Sequence, residues 1–184
     1  MDAPEKYTLD EAHGKYARQT NGKVWNLLRQ PHRSADENAE MIEAAYTSLY
    51  HWRFAGAKVN LQRGEWLIAR VYTVLGQAES ALRHAQRCLD LTNAHRDQME
   101  DFDIAFAYEG RARALALSGK MDEAKKFMAQ AHSGARKSPM LRTREFSTPV
   151  STAAIGTGSN SQPTKKERVT CLACFFVCEQ RTKL

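Results

Sequence analysis

The sequence predicts an all-α fold of about three antiparallel helix hairpins followed by an unstructured tail, and three observations carry that prediction. Gly76-Gln-Ala-Glu-Ser-Ala81-Leu and Gly119-Lys-Met-Asp-Glu-Ala124-Lys repeat one signature, a Gly five residues ahead of an Ala with an acid between them. A recurring helix–turn–helix of this kind points to stacked hairpins, which generally bind partners rather than catalyse. Only five Pro and ten Gly interrupt a chain rich in Ala, Leu, Arg, Glu and Gln, a strongly helix-forming balance. Apolar residues recur at helical spacing until Ala135 and then lose their period.

The elements follow in order. Thr8-Leu-Asp-Glu11 has the form of a capping box, in which a hydroxyl and a carboxylate satisfy the first open amides of a helix. Leu9, Ala12, Tyr16, Thr20, Val24 and Leu27 then mark its inward side, with Gly14 and Asn21-Gly22 as weak points and Pro31 as its end. Ser34-Ala-Asp-Glu37 is a second box, opening a helix with Ile42, Ala45, Tyr46, Leu49 and Tyr50 on one side and Ala55-Gly56 as its break. Asn60 can cap the third helix, whose inward positions are Leu61, Ile68, Tyr72 and Leu75, and Gly76 closes it. The fourth runs from about Ala78 to Leu91 with Ala81, Leu82, Ala85, Cys88 and Leu89 on one face. A polar stretch, Thr92–Asp103, separates it from a fifth helix over about Phe102–Ser118, and Gly119 turns the chain into a sixth over about Asp122–Ala135.

Charge and cysteines divide the chain into residues 1–137, a helical domain, and residues 138–184, a basic low-complexity tail expected to be disordered. Residues 1–135 carry 18 Lys+Arg and 18 Asp+Glu, while residues 136–184 carry 9 and 3, so the whole net charge of +6 belongs to the tail. A balanced body argues against a nucleic-acid face on the folded domain. The Ser/Thr/Gly/Pro run after Ser138 and the closing Cys171-Leu-Ala-Cys-Phe-Phe-Val-Cys178 are foreign in character to the body and suggest an altered reading frame, which the coding DNA would test. Cys88 reads as a small buried residue, and the four cysteines do not form a dispersed disulfide framework. With neither an apolar signal core at the N-terminus nor a run of roughly 18 apolar residues, a cytoplasmic protein without a transmembrane segment is expected.

These residues resemble the tetratricopeptide repeat family. Its pattern places a small residue midway along a first helix, then an aromatic, a Gly, and an Ala that packs the hairpin. Ala69, Tyr72, Gly76, Ala81, Ala85 and Cys88 match it once; in the second match Tyr108 takes an early aromatic place, with Ala112, Leu115, Gly119, Ala124, Met128 and Ala131 after it. The block from Tyr50-His-Trp-Arg-Phe to Asp103-Ile-Ala-Phe-Ala-Tyr-Glu also resembles small bacterial tetratricopeptide-like proteins over roughly residues 38–135. The resemblance implies a short right-handed helical solenoid. Two departures stand out: the turn glycines are 43 positions apart against about 34 in the family, and no Pro closes either repeat. The helices from Thr8 to Phe54 match poorly but can supply a third hairpin.

In this family the first helix of each hairpin lines a concave groove. Carried over by register, the ligand-facing positions are Arg63, Trp66, Arg70, Thr73 and Val74, then Phe106, Glu109, Arg113, Ala116 and Leu117. Arg63, Trp66 and Arg70 share one helical face. Paired guanidiniums at Arg70 and Arg113 suit a carboxylate, and Trp66 and Phe106 suit apolar anchorage. The expected function is therefore a non-catalytic adaptor for a protein or peptide segment, acidic in character, with self-association into a homo-oligomer a further expectation. A solvated surface on which these arginines pair with Glu65, Glu109 and Asp103 is the plainer reading.

Other chemistry finds little footing. The six His residues show no HExxH and no i, i+4 pair, and His84 with Cys88 offers only two ligands, so no metal and no cofactor are expected. Cys171-x-x-Cys174-x-x-x-Cys178 lacks a fourth ligand. Neither a Gly-x-Ser-x-Gly nor a phosphate loop is present. Two rival readings remain: an enzyme using a polar pocket around His51, Glu65 and His84, which requires the three to converge, and attachment to nucleic acid or membrane through the tail.

Overall fold

The computed structural model describes residues 6–137, and the side chains of residues 6–135. Residues 1–144 and 145–184 separate as two units, and all described residues lie in the first. The tail readings, including its cysteines, its disorder and its altered frame, fall outside the described residues.

Among the described residues there are six α-helices and no strand: α1 (Leu9–Arg29), α2 (Ala35–Ala55), α3 (Lys58–Val74), α4 (Ala78–Ala94), α5 (Asp101–Leu117) and α6 (Met121–Lys137), with a short 3₁₀ turn at Arg96–Gln98. The all-α expectation is met. Both capping boxes form as read. The Thr8 and Ser34 hydroxyls accept from the Glu11 and Glu37 amides, and those glutamates accept from the amides of Thr8 and Ser34 at 2.8 and 2.7 Å. Asn60 caps from inside α3 rather than ahead of it: its side chain accepts the Ala57 amide at 2.9 Å.

Gly76 and Gly119 end α3 and α5 identically. Their φ angles are 73° and 81°, in the left-handed region that glycine enters without a Cβ clash. In each case the glycine amide and the next one fold back on the helix: Gly76 to Thr73 and Gln77 to Tyr72, Gly119 to Ala116 and Lys120 to Leu115. This double closure is the Schellman arrangement. The chain then enters α4 or α6 with Ala81 or Ala124 facing inward, at 0% and 3% exposure.

Each helix packs on its neighbours in the chain, and α3 packs on α5 as well. The principal core joins Val24, Met41, Leu49, Leu67, Ile68 and Val71 with Ala45, Ala69, Ala81, Ala85 and Ala114. Smaller clusters surround Cys88 and Leu89, and Leu115 and Ala124. Alanines at the contacts allow short interaxial distances. The long spacing between the turn glycines is taken up structurally: α4 extends to Ala94 and the 3₁₀ turn follows. Thr92, in the segment read as polar, is fully buried, its hydroxyl donating to the Cys88 carbonyl at 2.8 Å.

Val24 and Leu27 on α1 and Ala45 and Leu49 on α2 are buried as expected, but part of each expected inward face is not. Leu9 and Tyr16 are 74% and 51% exposed, whereas Gly14, Ala17, Val24 and Leu27 are buried. On α2, Tyr46 and Tyr50 are exposed, and Met41, Ala44, Ala45, Ser48 and Leu49 are buried. Gly14 and Ala17 let α1 come close enough for the Ser48 hydroxyl to donate to the Ala17 carbonyl at 2.9 Å, and that approach leaves the aromatic rings outside. Nor do Asn21-Gly22 weaken α1 visibly, since the helix is continuous across them.

Candidate functional site

A row of aromatic side chains crosses α1, α3 and α5. Trp25 and Trp66 have ring centroids 6.1 Å apart, Trp66 and Phe106 5.4 Å, and Phe106 and Phe102 6.3 Å. Trp25, Trp66 and Phe102 are half-buried, while Phe106 is buried. Gly110 makes room for the indole: a Cβ there would lie 3.0 Å from Trp66 Cδ1 and 3.2 Å from its Nε1.

The arginines flank this row at helical spacing. Arg63 spans from α3 to Asp103 on α5 with two parallel bonds, Nε to Oδ1 at 2.7 Å and an NH2 group to Oδ2 at 2.9 Å. Its guanidinium also lies 5.1 Å from the Phe102 ring centroid. Asp103 is 1% exposed and its Oδ2 accepts the Glu100 amide at 3.2 Å, so one carboxylate joins two helices and caps one of them. One turn on from Phe106, Glu109 is bonded by Arg113 Nε through Oε1. Arg70 lies on the Trp66 side of α3, half-buried.

Of the expected site residues, Trp66 meets Phe106 and Arg113 meets Glu109, Arg63 pairs instead with Asp103, and Arg70 lies one turn from Trp66 on α3; they sit at different depths. Arg63, Trp66, Arg70 and Arg113 reach the surface; Phe106 and Glu109, at 8% and 3% exposure, lie beneath it. Phe106 is covered because Trp66 packs over it, and Glu109 because it anchors Arg113. The plainer reading is partly right: Arg63 does pair with Asp103 and Arg113 with Glu109. The carboxylates are buried, however, and Glu65 pairs elsewhere.

Trp25, Phe102 and Gln62 were not legible as parts of this region. The Gln62 amide donates to Thr92 Oγ1 at 3.0 Å and to the Asp103 carbonyl at 3.1 Å, fixing α3 against α4 and α5. A lone buried Gln on an apolar helix face is the one signal that could have marked it.

The residues of the rival enzyme reading divide. Glu65 and His84 meet in the core, Oε2 to Nδ1 at 2.6 Å, and His84 Nε2 reaches the Tyr46 hydroxyl at 2.8 Å. Tyr72 stacks on His84 and its hydroxyl lies 3.3 Å from that of Tyr46. Carboxylate, imidazole and hydroxyl stand in the order of an activated nucleophile. The electrostatics run the other way: burial first, then the Tyr72 hydroxyl and the charge of Glu65, push the Tyr46 phenol up to about 12. His51 sits apart, its Nδ1 2.8 Å from that of His13. The open cleft of about 780 Å³ between the start of α1 and the end of α2 is lined by Tyr7, Asp10, Glu11, Gly14, Lys15, Arg18 and Phe54–Gly56, and none of the three reaches it.

Burial raises the Cys88 thiol well above its ordinary range, with Glu65 and Asp103 adding to the rise, so this sulfur is an inert core group. Among the described residues no cluster of three His, Cys, Asp or Glu is placed to hold a metal, and no helix is long and apolar enough to cross a membrane. No family model and no curated protein matches the chain.

Proposed function

We propose that the six helices form a short, right-handed, tetratricopeptide-like stack of three hairpins, and that the α1–α3–α5 side binds a protein or peptide segment without catalysis. Alternation supports the stack: aromatic contacts link α1 to α3 to α5, and Tyr46 with His84 links α2 to α4. The repeated Schellman closures at Gly76 and Gly119 support it too.

The observation that carries the binding reading is the continuous row Trp25–Trp66–Phe106 flanked by Arg63, Arg70 and Arg113. Half-buried tryptophans are rigid anchors with little rotamer entropy left to lose, which is why such residues dominate binding surfaces. Arg63 and Arg113 are already oriented by buried carboxylates, so their cost of ordering is met before a ligand arrives. Guanidiniums beside half-buried indole faces suit a segment carrying a carboxylate beside an apolar side chain.

Selection from a displayed random-peptide library tests this. The wild-type protein should enrich peptides combining Asp or Glu with an aromatic or large aliphatic residue, and R70A/R113A should lose them. Enrichment of uncharged sequences, or an identical yield from R70A/R113A, would contradict the reading.

A further inference from the structure

The outward face of α2 has a composition that a second copy of the same face would complement. Its exposed positions follow one helical stripe: Asp36 and Glu40, then Glu43, Tyr46 and Tyr50, then Arg53 and Phe54. Tyr46, Tyr50 and Phe54 are 39%, 54% and 55% exposed, and Tyr16 of α1 lies alongside at 51%. Such a stripe is acidic at its start, aromatic in its middle and basic at its end. Glu43 and Arg53 make no ion pair with any other described residue.

We propose that two copies of this chain associate through an antiparallel, two-fold contact between their α2 helices. A two-fold axis over the midpoint of Tyr46 and Tyr50 sets each Tyr46 against the second copy's Tyr50 and each Glu43 against the second copy's Arg53. Because the contact is isologous, each of these pairs occurs twice. A parallel arrangement would instead set acid on acid.

The rings are already fixed. Tyr46 is held through its hydroxyl by His84, and Tyr50 packs edge-on against Phe54 with centroids 5.1 Å apart. Four aromatic rings about half exposed present roughly 400 Å², comparable to the largest apolar patch of a typical monomer and about half of the ~800 Å² that one partner gives to a standard interface. The charged ends of the stripe and the facing edge of α1 supply the rest. This contact lies on α2, apart from the α1–α3–α5 row, and stands or falls without it.

Sedimentation velocity of the full chain under reducing conditions, over a range of micromolar concentrations, tests the proposal. A reversible monomer–dimer equilibrium is expected. E43R and R53E should each raise the dimer dissociation constant about tenfold by converting two attractions to repulsions, and E43R/R53E should restore it. A monomer at every concentration overturns the proposal, as does a dimer indifferent to E43R, or a double variant no better than either single one. The charge reversal is self-controlled, since a variant that merely misfolded would not be rescued by the second substitution.

Discussion

Between α3 and α5, Arg63 reaches a carboxylate that is 1% exposed, and Gln62 secures the same residue through its carbonyl. Between α1 and α2, the buried contact is made by Gly14, Ala17 and Ser48, and the charged groups that shape the helices, Glu11 and Glu37, stay at the exposed N-termini. The first pairing fixes its register with charge in the core, where an unmatched partner is costly. The second fixes it with small side chains and caps, and sends its rings outward. A protein built this way has one region intolerant of polar change and another with a surface open to association.

The sharpest way to break this contrast is R63A. It leaves Asp103 buried with only a backbone amide, and it should cost about 3 kcal/mol in urea unfolding, somewhat below the full buried-pair penalty because Arg63 itself is 29% exposed. R63A/D103N should recover most of that loss, and R53A on α2 should fall within about 0.5 kcal/mol of wild type. Equal costs for R63A and R53A would erase the distinction between the two regions.

G110A sharpens the same point by steric means. The new Cβ meets the Trp66 indole at 3.0 Å, and an indole wedged between Trp25 and Phe106 has little room to give. A loss of about 2 kcal/mol with a change in tryptophan fluorescence is expected. On the α1–α2 side, S34A removes an exposed cap and should cost about 1 kcal/mol, read from the urea midpoint.

The smallest effect is the pH dependence of the α1–α2 hairpin. His13 and His51 bring their Nδ1 atoms to 2.8 Å, and burial, then the neighbouring His13, hold the His51 imidazole below its ordinary range. An imidazole depressed in the folded state favours folding fully above the unfolded value of about 6.5, and that contribution is lost as pH falls below it, because the unfolded chain takes up the proton more readily. The urea midpoint should therefore fall between neutral and mildly acidic pH, and H51Q should flatten that fall. Glu11 acts in a separate, more acidic window: the Thr8 amide, then its hydroxyl, hold the carboxyl below its ordinary range, so the cap weakens only as pH drops through the carboxylate region.

Most helix boundaries were legible because they are written in local chemistry: Thr8 with Glu11, Ser34 with Glu37, and glycines at the left-handed positions. The inward alanines Ala81 and Ala124 were legible for the same reason, since a repeat constrains them. Burial was harder. Periodicity says that Tyr46 and Tyr50 share a face of α2, but not whether that face meets another helix, and the same spacing describes a core stripe and an exposed one. Helices packed on several sides lose their pattern altogether: α5 buries Asp103 and Glu109 along with its alanines, so no polar face remains to be read. The aromatic row joins Trp25 to Trp66 and Phe106 across three helices, a proximity that spacing along one helix does not encode. Arg63 and Asp103 are 40 positions apart, and their pairing belongs to tertiary structure alone.

The three tryptophans give the most direct test of the proposed binding side, because Trp25 and Trp66 lie in the row and Trp52 belongs to α2. Titrating labelled protein with a library-selected acidic peptide, while recording the three indole N–H resonances, should move those of Trp25 and Trp66 and leave that of Trp52 in place. Movement of Trp52 alone, or saturable binding with all three indole signals unchanged, would show that the segment is held elsewhere.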